Sequence, residues 1–315
     1  MHIRHGFGAA VVALLVAGVA APDARAQLFD AAILESVVSV LPEWPAAEAL
    51  PERPEGTAVA VLPGGYLATN GHVLGRATRI RIRLADGRVL PAERVGVDRL
   101  TDIALIRAPL DLPVPATAPP PPLGARVCAV GNPFGLGLSV TCGVVSGLHR
   151  TGTGFNGIED FIQTDAVVNP GGSGGALVDA DGRLVGLVSA IFTKESDADI
   201  GVNFAASMRL VMRVAEDLEA HGRVVRGSLG LKAADLSLDE RAEIVGARVT
   251  RIDPGGAAAA AGLRVGDVIV AVADRAIRKA SDVTSAVHMH RIGEPFEVAF
   301  LRDGERRTAT VTLAP

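Results

Sequence analysis

One segment of the chain places a hydroxyl nucleophile in a setting that suits acyl transfer. Ser173 lies in a glycine-rich run at residues 169–175, Asn-Pro-Gly-Gly-Ser-Gly-Gly. A serine that attacks a carbonyl group must stand exposed on a tight turn, with backbone N–H groups directed at the oxyanion that develops. Glycines permit the unusual backbone angles of such a turn and leave room for a substrate. We expect the N–H groups of Gly171 and Ser173 to form this oxyanion hole, although a Gly/Ser-rich run by itself also fits a loop without chemistry.

Two other residues could activate this serine. His72 directly follows a strand-like run, and Asp102 precedes an apolar one. Alone, such a histidine is more often structural or merely exposed, and such an aspartate is more often a cap or turn residue. Together with Ser173 they could form a triad in which the carboxylate fixes the tautomer of the imidazole and stabilises the imidazolium. Their order in the chain, His-Asp-Ser, is that of chymotrypsin-type proteases and not that of subtilisins or α/β-hydrolases.

The segments that carry these residues have the pattern of short β-strands. Ile80 and Ile82 alternate with arginines, which predicts a strand with one buried face and one solvent-exposed face. Asp-Gly pairs at 86–87 and 181–182 predict hairpin turns. A proline-rich spacer near residues 111–122 cannot be a helix interior or a central strand, so it should connect two β units. Many short strands with Gly-rich turns predict a sandwich or barrel, and therefore a mainly β fold.

A helix and a second domain follow these β units. Ser207 is a suitable N-cap for the helix, and Gly222 should end it. Residues 226–315 then form a separate unit whose length is ordinary for a small α+β domain. Within this unit, Ser281 is predicted to cap a helix that runs to His290.

The composition excludes two broad classes of protein. Hydrophobic residues make up 49% of the 315 residues and charged residues 21%, which is typical of a globular chain and not of a disordered one. The formal net charge is −4, so there is no basic footprint for nucleic acid.

The first 26 residues have the features of a signal peptide that is removed on secretion. A positive start is followed by an apolar run at residues 8–21, which is too short to span a membrane comfortably, and by a small-x-small cleavage site at residues 24–26. The alternative is an uncleaved membrane anchor. The Ala/Arg/Pro-rich composition is typical of a bacterium, so we expect a periplasmic protein. No later stretch is suited to crossing a membrane, so no stable membrane insertion is expected after cleavage.

Two cysteines could form a disulfide in that oxidising compartment. Cys128 and Cys142 flank a turn-rich segment, and they fall opposite each other if a hairpin turns about Gly135. They could equally be two small buried hydrophobic side chains, because directly opposed pairs often have poor disulfide geometry.

On several motifs together, the chain resembles the HtrA (Deg) family of periplasmic serine proteases. Besides the segments around the three triad candidates, the matching motifs are AVGNPFG at 129–135, VTCGVVS at 140–146, FIQTDAVVNPGGSGGAL at 161–177, GVNFA at 201–205 and VGDVIV at 265–270. The resemblance implies a chymotrypsin-like double β-barrel protease domain with its active site between the barrels, followed by one PDZ domain. His72, Asp102 and Ser173 fall on the triad positions of the family, which needs no metal or other cofactor.

The resemblance also implies domain limits and an assembly. The protease domain would span residues 27–222 and the PDZ domain residues 226–315. Family members form homotrimers through the N-terminal segment, and here four apolar residues of that segment offer a surface for this contact: Leu28, Phe29, Ile33 and Leu34. The same residues could equally pack on their own barrel.

Three positions depart from the family pattern. The family usually has Asn before the nucleophile and Pro three residues after it, whereas this chain has Gly172 and Ala176. Ala206 likewise stands where the family usually has Pro. None of these changes removes a reacting group, but Gly172 should make the oxyanion loop more flexible, and an inactive resting loop is one expected consequence.

Substrate selection should depend on the segment before the nucleophile and on the strand after it. The predicted pocket residues are Val167, Val168, Ser189, Ala190, Ile191 and Phe204. Val167 stands at the position where a trypsin-like pocket would have an acid, so the pattern predicts cleavage after small or medium aliphatic residues such as Val, Ala, Ile or Leu. Such side chains are exposed mainly in unfolded proteins, which makes damaged envelope proteins the expected substrates.

A second binding site is predicted in the C-terminal domain. Ser228-Leu229-Gly230-Leu231 resembles the carboxylate-binding loop of PDZ domains, which holds a peptide C-terminus while the peptide adds to a sheet edge. Val283 and Val287, on the predicted helix, would face this groove or the core. His288 and His290 do not face one site on a helix, so they are expected to face solvent and not to bind a metal.

Two rival functions remain open at this stage. If Gly172 makes the oxyanion loop inactive, the protein could be a chaperone or holdase that captures unfolded proteins and cleaves little. Alternatively, the chain could be a regulatory protease with one dedicated substrate, switched on by peptides at the PDZ groove. The expected partners in every case are unfolded polypeptides and peptide C-termini.

Overall fold

The structure is a computed structural model that describes residues 31–45, 55–191 and 201–314. The predicted signal peptide at residues 1–26 lies outside the described residues, as do Leu28 and Phe29 of the predicted trimer surface. Within the described ranges, no helix combines the length and the apolar character needed to cross a membrane.

The first β unit is a closed barrel of six antiparallel strands, which neighbour one another in the order β1-β2-β3-β6-β5-β4. The strands are β1 (Val37–Glu43), β2 (Gly56–Leu62), β3 (Tyr66–Asn70), β4 (Arg79–Arg83), β5 (Val89–Asp98) and β6 (Ile103–Arg107). In β4 the isoleucines point into the barrel and the arginines point outward, as the alternation predicts. The interior is filled by apolar side chains, among them Val40, Leu67 and Ile82.

The second β unit is also a closed barrel, with the strand order β10-β11-β12-β9-β8-β7. Its strands are β7 (Arg126–Gly131), β8 (Ser139–Arg150), β9 (Phe161–Thr164), β10 (Ala176–Val178), β11 (Leu184–Ile191) and β12 (Asn203–Ser207). The proline-rich spacer leads from β6 to β7 and makes a parallel bridge between Thr117 and Leu184. It therefore connects two β units, as predicted.

Cys128 and Cys142 lie directly opposite each other on β7 and β8. They form a disulfide with an S–S distance of 2.06 Å, and no free cysteine occurs among the described residues. The disulfide closes the base of a hairpin whose tip contains Asn132 and Phe134, two residues that matter for the site below.

The largest apolar cluster lies between the two barrels and beneath a helix, α2 (Met208–His221). Ser207 caps this helix by accepting a hydrogen bond from the Leu210 N–H, and Gly222 ends it in the left-handed conformation, so both predicted boundaries are confirmed. Ile33, in a short 3-10 segment before β1, is 4% exposed and belongs to the same cluster, with Leu34 packed against it. This part of the predicted trimer surface therefore packs on its own barrels.

The C-terminal domain is a twisted antiparallel sheet with the order β13-β14-β15-β17-β18, and β16 pairs with β15. Its strands are β13 (Leu231–Asp235), β14 (Ala247–Ile252), β15 (Val268–Val272), β16 (Arg275–Ala276), β17 (Pro295–Arg302) and β18 (Glu305–Thr312), and the helices are α3 (Ala257–Ala260) and α4 (Ala280–Val287). The prediction that Ser281 caps α4 is wrong: the N-cap is Lys279, and Ser281 lies within the first turn. Its hydroxyl contacts Thr151 of the protease domain instead, at 2.8 Å.

Polar side chains join the C-terminal domain to the barrels. Ion pairs cross the junction, among them Arg226 with Asp98, Arg275 with Asp160 and Arg291 with Asp217. Burial by itself would raise the pKa of Asp160, but hydrogen bonds from His149 and Ser207 and the charge of Arg275 hold that pKa below its usual value. The carboxylate of Asp160 therefore stays ionised inside the junction, where it pairs with Arg275.

Candidate active site

The backbone after β3 presents His72 to the cleft between the barrels. This residue belongs to a single helical turn, α1 (Gly71–Leu74). Its Nδ1 lies 2.6 Å from Asp102 Oδ2, and its backbone N–H donates to Asp102 Oδ1 at 2.8 Å. A carboxylate can only accept, so this pairing places the proton of a neutral imidazole on Nδ1 and leaves the Nε2 lone pair for a second partner.

The aspartate is itself fixed by the chain around it. Asp102 lies in the turn between β5 and β6 with φ of 57°, a left-handed conformation that costs energy for a residue with a side chain. Its carbonyl oxygen accepts from the Gly71 N–H at 2.8 Å and from Asn70 Nδ2 at 3.1 Å. A Cβ at Gly71 would lie 2.9 Å from Asp102 Oδ1, so a glycine is needed for this close approach. The carboxylate is thus held at a fixed distance from the imidazole.

The segment around Ser173 is bonded to both barrels. The Ser173 carbonyl accepts from the Thr57 N–H on β2 at 3.0 Å, and the Gly174 N–H donates to the Val188 carbonyl on β11 at 2.8 Å. Gly174 has φ of 83°, and a Cβ there would lie 2.1 Å from the Thr57 carbonyl oxygen. The nucleophile candidate therefore lies where the two barrels meet.

The two peptide groups before Ser173 have defined orientations. Gly171 has φ of 98°, and a Cβ there would lie 2.3 Å from the Asn132 carbonyl oxygen. The Pro170 carbonyl accepts from the Phe134 N–H at 2.7 Å. Because the described peptide bonds are trans, the Gly171 N–H points away from Phe134. In the part of the chain that the structure describes, neither this N–H nor that of Ser173 donates to another protein group.

Gly172 is tied on both sides despite its lack of a side chain. Its N–H donates to the Asn169 carbonyl at 2.9 Å, and its carbonyl accepts from the Gly175 N–H at 3.0 Å. A Cβ at this position would lie 3.1 Å from the Asn169 oxygen. Two turn hydrogen bonds thus restrict the segment that the sequence analysis expected to be flexible.

A cleft of about 700 Å³ brings most of the candidate residues together. The predicted site residues in its lining are His72, Asp102, Ser173, Gly171, Val168 and Ser189. Val167 lies outside this lining, with 45% of its surface exposed. Phe204 lies in the core behind the wall, 5.7 Å from Phe155 between ring centroids. The side chains of Ala190 and Ile191 are outside the described part of the chain.

The C-terminal domain has a separate groove of about 410 Å³ between β13 and α4. The predicted residues that line it are Ser228, Leu229, Leu231, Val283 and Val287. Gly230 forms the turn behind it, with φ of 66° and its N–H bonded to Ser228 Oγ at 3.0 Å. Because β13 is an edge strand of its sheet, one of its edges is available to an added strand.

The expectation that the two histidines near this groove face solvent is wrong. His288 lines the groove, and burial, together with the charge of Arg226, lowers its pKa to about 4. His290 is buried and stacks on Phe296 with 4.1 Å between ring centroids. The helix pattern missed this because the residues after Val287 leave the helix and turn inward. Among the described residues, no cluster of His, Cys, Asp and Glu has the geometry to hold a metal ion.

Comparison with known proteins agrees with both domains. Residues 56–187 match the family model of the trypsin-like peptidase domain, and residues 198–313 match that of the PDZ domain. The chain is 36% identical over 275 residues to the serine endoprotease DegS of Escherichia coli (strain K12), covering 83% of this chain and 77% of DegS. The chain belongs to the HtrA family of serine proteases.

Other HtrA proteins give the same result. The periplasmic serine endoprotease DegP of Escherichia coli (strain K12) is 38% identical over 259 residues, covering 79% of this chain and 54% of DegP. The chain thus spans about half the length of DegP. A solved structure of the HtrA-type protease AlgW with a tripeptide has a TM-score of 0.71 and 36% identity, covering 90% of this chain and 95% of that one. The predicted fold class, two barrels followed by a PDZ domain, is confirmed.

Several residues of the HtrA cleft were not predicted from sequence. They are Trp44, Glu55, Arg99, Phe155 and Asn156. Phe155 and Asn156 lie in the loop between β8 and β9, for which the sequence analysis made no prediction. Buried Glu159 organises this loop by accepting from the N–H groups of residues 153, 155 and 156. These contacts depend on which residues the fold brings together, so no local sequence pattern predicts them.

Proposed function

We propose that this HtrA protein is a serine endopeptidase with His72, Asp102 and Ser173 as its triad. The observation that carries the proposal is the double contact between the Asp102 carboxylate and His72, in the same cleft as Ser173. A carboxylate that binds both Nδ1 and the backbone N–H of a histidine fixes the ring and favours its protonated form during the reaction. Membership of the HtrA family supports the same conclusion.

The geometry supports an acyl-enzyme mechanism. His72 Nε2 removes the Ser173 proton as Oγ attacks the peptide carbonyl, and the N–H groups of Gly171 and Ser173 stabilise the oxyanion. The resulting imidazolium, stabilised by Asp102, then protonates the leaving amine. Water attacks the acyl-enzyme by the reverse sequence of proton transfers. Among the described residues no hydrogen bond joins His72 to Ser173, and such catalytic contacts commonly tighten only when the substrate binds.

The cleft favours small or medium aliphatic side chains at the residue that precedes the cleaved bond. Val168 and Ser189 line the cleft with Ser173 and carry no charge that would select Arg or Lys. Glu55 also lines the cleft, but its carboxylate is paired with Arg83. Such side chains are buried in folded proteins, so unfolded polypeptides of the bacterial envelope are the proposed substrates. The periplasmic names of the relatives support this location. The homotrimer stays a prediction.

The PDZ groove is proposed to bind peptide C-termini. A peptide would add to the edge of β13, and its carboxylate would approach the backbone of residues 228–231. Val283 and Val287 supply an apolar wall for its last side chain. The protease domain at residues 27–222 and the PDZ domain at 226–315 are the proposed functional units.

One observation favours a regulatory protease as the second candidate. The PDZ helix α4 touches the loop between β8 and β9, because Thr151 Oγ1 donates to Asp282 Oδ1 at 2.6 Å. The same loop carries Phe155 to the wall of the active-site cleft. The groove is lined by the same helix, including Ser281, whose hydroxyl contacts Thr151 at 2.8 Å, so a bound peptide could change the shape of the cleft.

The deciding experiment compares the mature chain with its Ser173→Ala variant on unfolded casein. Cleavage by the wild type alone, with labelling of its Ser173 by a fluorophosphonate, is the expected result. Cleavage that appears only after C-terminal peptides are added would favour the regulatory protease. If neither protein cleaves under any of these conditions and both suppress casein aggregation, the endopeptidase proposal fails and a holdase takes its place.

A further inference from the structure

Thr57, on β2 of the first barrel, contacts the oxyanion segment of the second barrel twice. Its N–H donates to the Ser173 carbonyl at 3.0 Å, and its hydroxyl donates to the Gly171 carbonyl at 2.7 Å. The residue is fully buried. We propose that Thr57 is a positioning residue for the oxyanion hole, and that Asn132 and the Glu55–Arg83 ion pair hold its hydroxyl in place. The inference rests on the proposed role of Ser173.

The hydroxyl of Thr57 has a single orientation available. It accepts from the Asn132 N–H at 2.9 Å, so its own hydrogen is directed at the Gly171 carbonyl. The Thr57 carbonyl in turn accepts from Thr69 Oγ1 at 2.6 Å. Every polar group of Thr57 is therefore bonded, and two of them hold the carbonyls on either side of Gly172.

Asn132 connects this hydroxyl to the surface of the first barrel. The residue is fully buried; its Nδ2 donates to Glu55 Oε2 at 2.8 Å, and its Oδ1 accepts from the Gly137 N–H at 2.7 Å. Glu55 Oε1 accepts from Arg83 Nη1 at 3.0 Å, and the Oε2 atom that accepts from Asn132 also contacts Arg83 Nη2. A continuous set of contacts thus runs from the end of β4 through Glu55 and Asn132 to Thr57.

Gly171 makes this support necessary. Its φ of 98° is accessible to glycine at little cost, but glycine occupies negative φ equally well, so the residue does not fix its own conformation. If the Thr57 hydroxyl is removed, the Gly171 carbonyl and the Asn132 N–H lose their partner inside the protein. Rotation of the peptide groups at Gly171 would relieve this, and it would turn an oxyanion donor away from the substrate.

The test uses Thr57→Val, which keeps the shape of the side chain and removes the hydroxyl. We expect kcat on an aliphatic peptide substrate to fall about 30- to 100-fold, with KM changed by less than about 3-fold, because a contact made in the transition state is lost. The rate at which a fluorophosphonate labels Ser173 should fall in parallel. Thr57→Ser keeps the hydroxyl and should retain at least about a third of the wild-type kcat. Thr310→Val, on an exposed position of β18, is the matched control and should behave as wild type.

A second pair of variants covers the case in which Thr57→Val does not fold. Glu55→Gln and Arg83→Met alter a partly exposed ion pair and should leave the melting temperature nearly unchanged. Each should reduce the rate of fluorophosphonate labelling about 3- to 10-fold, and the double variant should be no worse than the poorer single one, since both act through Asn132. The reagent is too small to need the rest of the cleft, so a loss in labelling reports on the activation of Ser173 and on the oxyanion site.

The outcomes separate this inference from the proposed function. Folded Thr57→Val with wild-type kcat and labelling rate would overturn the positioning role while leaving Ser173 as the nucleophile. If Thr57→Val does not fold but the Glu55 and Arg83 variants do, labelling of Ser173 at the wild-type rate in both variants would also overturn the positioning role. If the wild type itself neither cleaves nor becomes labelled, the proposed function fails, and the inference fails with it.

Discussion

The two barrels hold their share of the site in different ways. The first barrel fixes His72 through its own residues, since Asp102 bonds to the ring and to the backbone of the histidine, and Gly71 bonds back to Asp102. The second barrel carries Ser173 on a glycine-rich turn whose orientation depends on bonds from Thr57 and Phe134. The proposed acid–base half is thus supported locally, and the proposed oxyanion half is supported by contacts from distant parts of the chain. Damage to the first should stop the chemistry, whereas damage to the second should weaken it by degrees.

The largest effect is expected for Asp102→Asn, which breaks the locally supported half. The amide can donate to His72 Nδ1 and so favours the wrong tautomer, and kcat should fall about 10⁴-fold. Stopped assays on an aliphatic peptide substrate would measure this, with the thermal melting curve as the check on folding. A loss of less than about 10-fold would show that Asp102 is not part of the catalytic unit.

The next largest effect is expected for Gly171→Ala, which breaks the oxyanion half. The added Cβ would meet the Asn132 carbonyl oxygen at 2.3 Å in a backbone conformation that already disfavours alanine, so kcat should fall about 10²- to 10³-fold. Gly124→Ala is the matched control, because Gly124 has φ of 80° and nothing within 4 Å of the added atom. Equal losses of activity in Gly171→Ala and Gly124→Ala would show that any strained alanine lowers activity. That result would contradict the special role of Gly171 in the oxyanion half.

Removal of the disulfide should act mainly on stability. A double Cys128→Ala, Cys142→Ala variant opens the base of the hairpin that carries Asn132 and Phe134, and loop entropy predicts a loss of about 3 kcal/mol in the free energy of unfolding. Urea unfolding measures this loss, and wild type in a reducing agent should behave like the variant. If activity also falls while the variant remains folded, the hairpin contributes to the oxyanion half. An unchanged urea midpoint would refute the stabilising role.

The smallest of these effects lies in the PDZ domain, at a histidine that faces the protease domain. Burial lowers the pKa of His288 to about 4, so between pH 6.5 and 4 the unfolded chain binds a proton that the folded chain does not, and stability falls as the pH falls through this window. The expected loss is about 2 to 3 kcal/mol between these limits. His290, whose pKa is also lowered by burial, adds to it in the same direction.

His288→Gln should remove most of that dependence on pH. Urea unfolding of the full chain at pH 7 and pH 5, for wild type and variant, measures the difference. Carboxylates with lowered pKa values, such as Asp160, lose their contribution only near and below their ordinary pKa, so they do not account for a change in the upper part of the window. A variant with the same pH dependence as wild type would exclude His288 as its source.

Local patterns predicted the elements whose determinants are close in sequence. The alternation around Ile80 and Ile82 predicted β4, and Ser207 and Gly222 predicted the two ends of α2. The short strands β9 and β12 were not predicted, because nearly all their residues are buried and no alternation marks them. Ser281 was misplaced as a cap because its hydroxyl has a partner in another domain.

The same limit applies to the candidate site. The triad candidates stood out because residue type, chain order and a glycine-rich run coincide at His72, Asp102 and Ser173. Nothing local marks Thr57 or Glu55, since each acts through contacts with residues distant in the chain. The expected flexibility at Gly172 followed from its missing side chain, whereas the structure supplies backbone bonds that a sequence does not show.

The loop held by Glu159 has a consequence for how the cleft could be changed. Glu159 is 4% exposed and accepts from three backbone N–H groups of the loop, two of which belong to Phe155 and Asn156. Backbone donors are the same for every residue except proline, so the shape of the loop is largely independent of the side chains at its tip. Exchange of residues 155 and 156 should therefore keep the path of the backbone, although it removes the packing of Phe155 on Phe204 and the hydrogen bond from Asn156 Nδ2 to the Thr101 carbonyl. In evolution or in the laboratory, substitutions in this loop are therefore a route to altering which substrates the protease accepts.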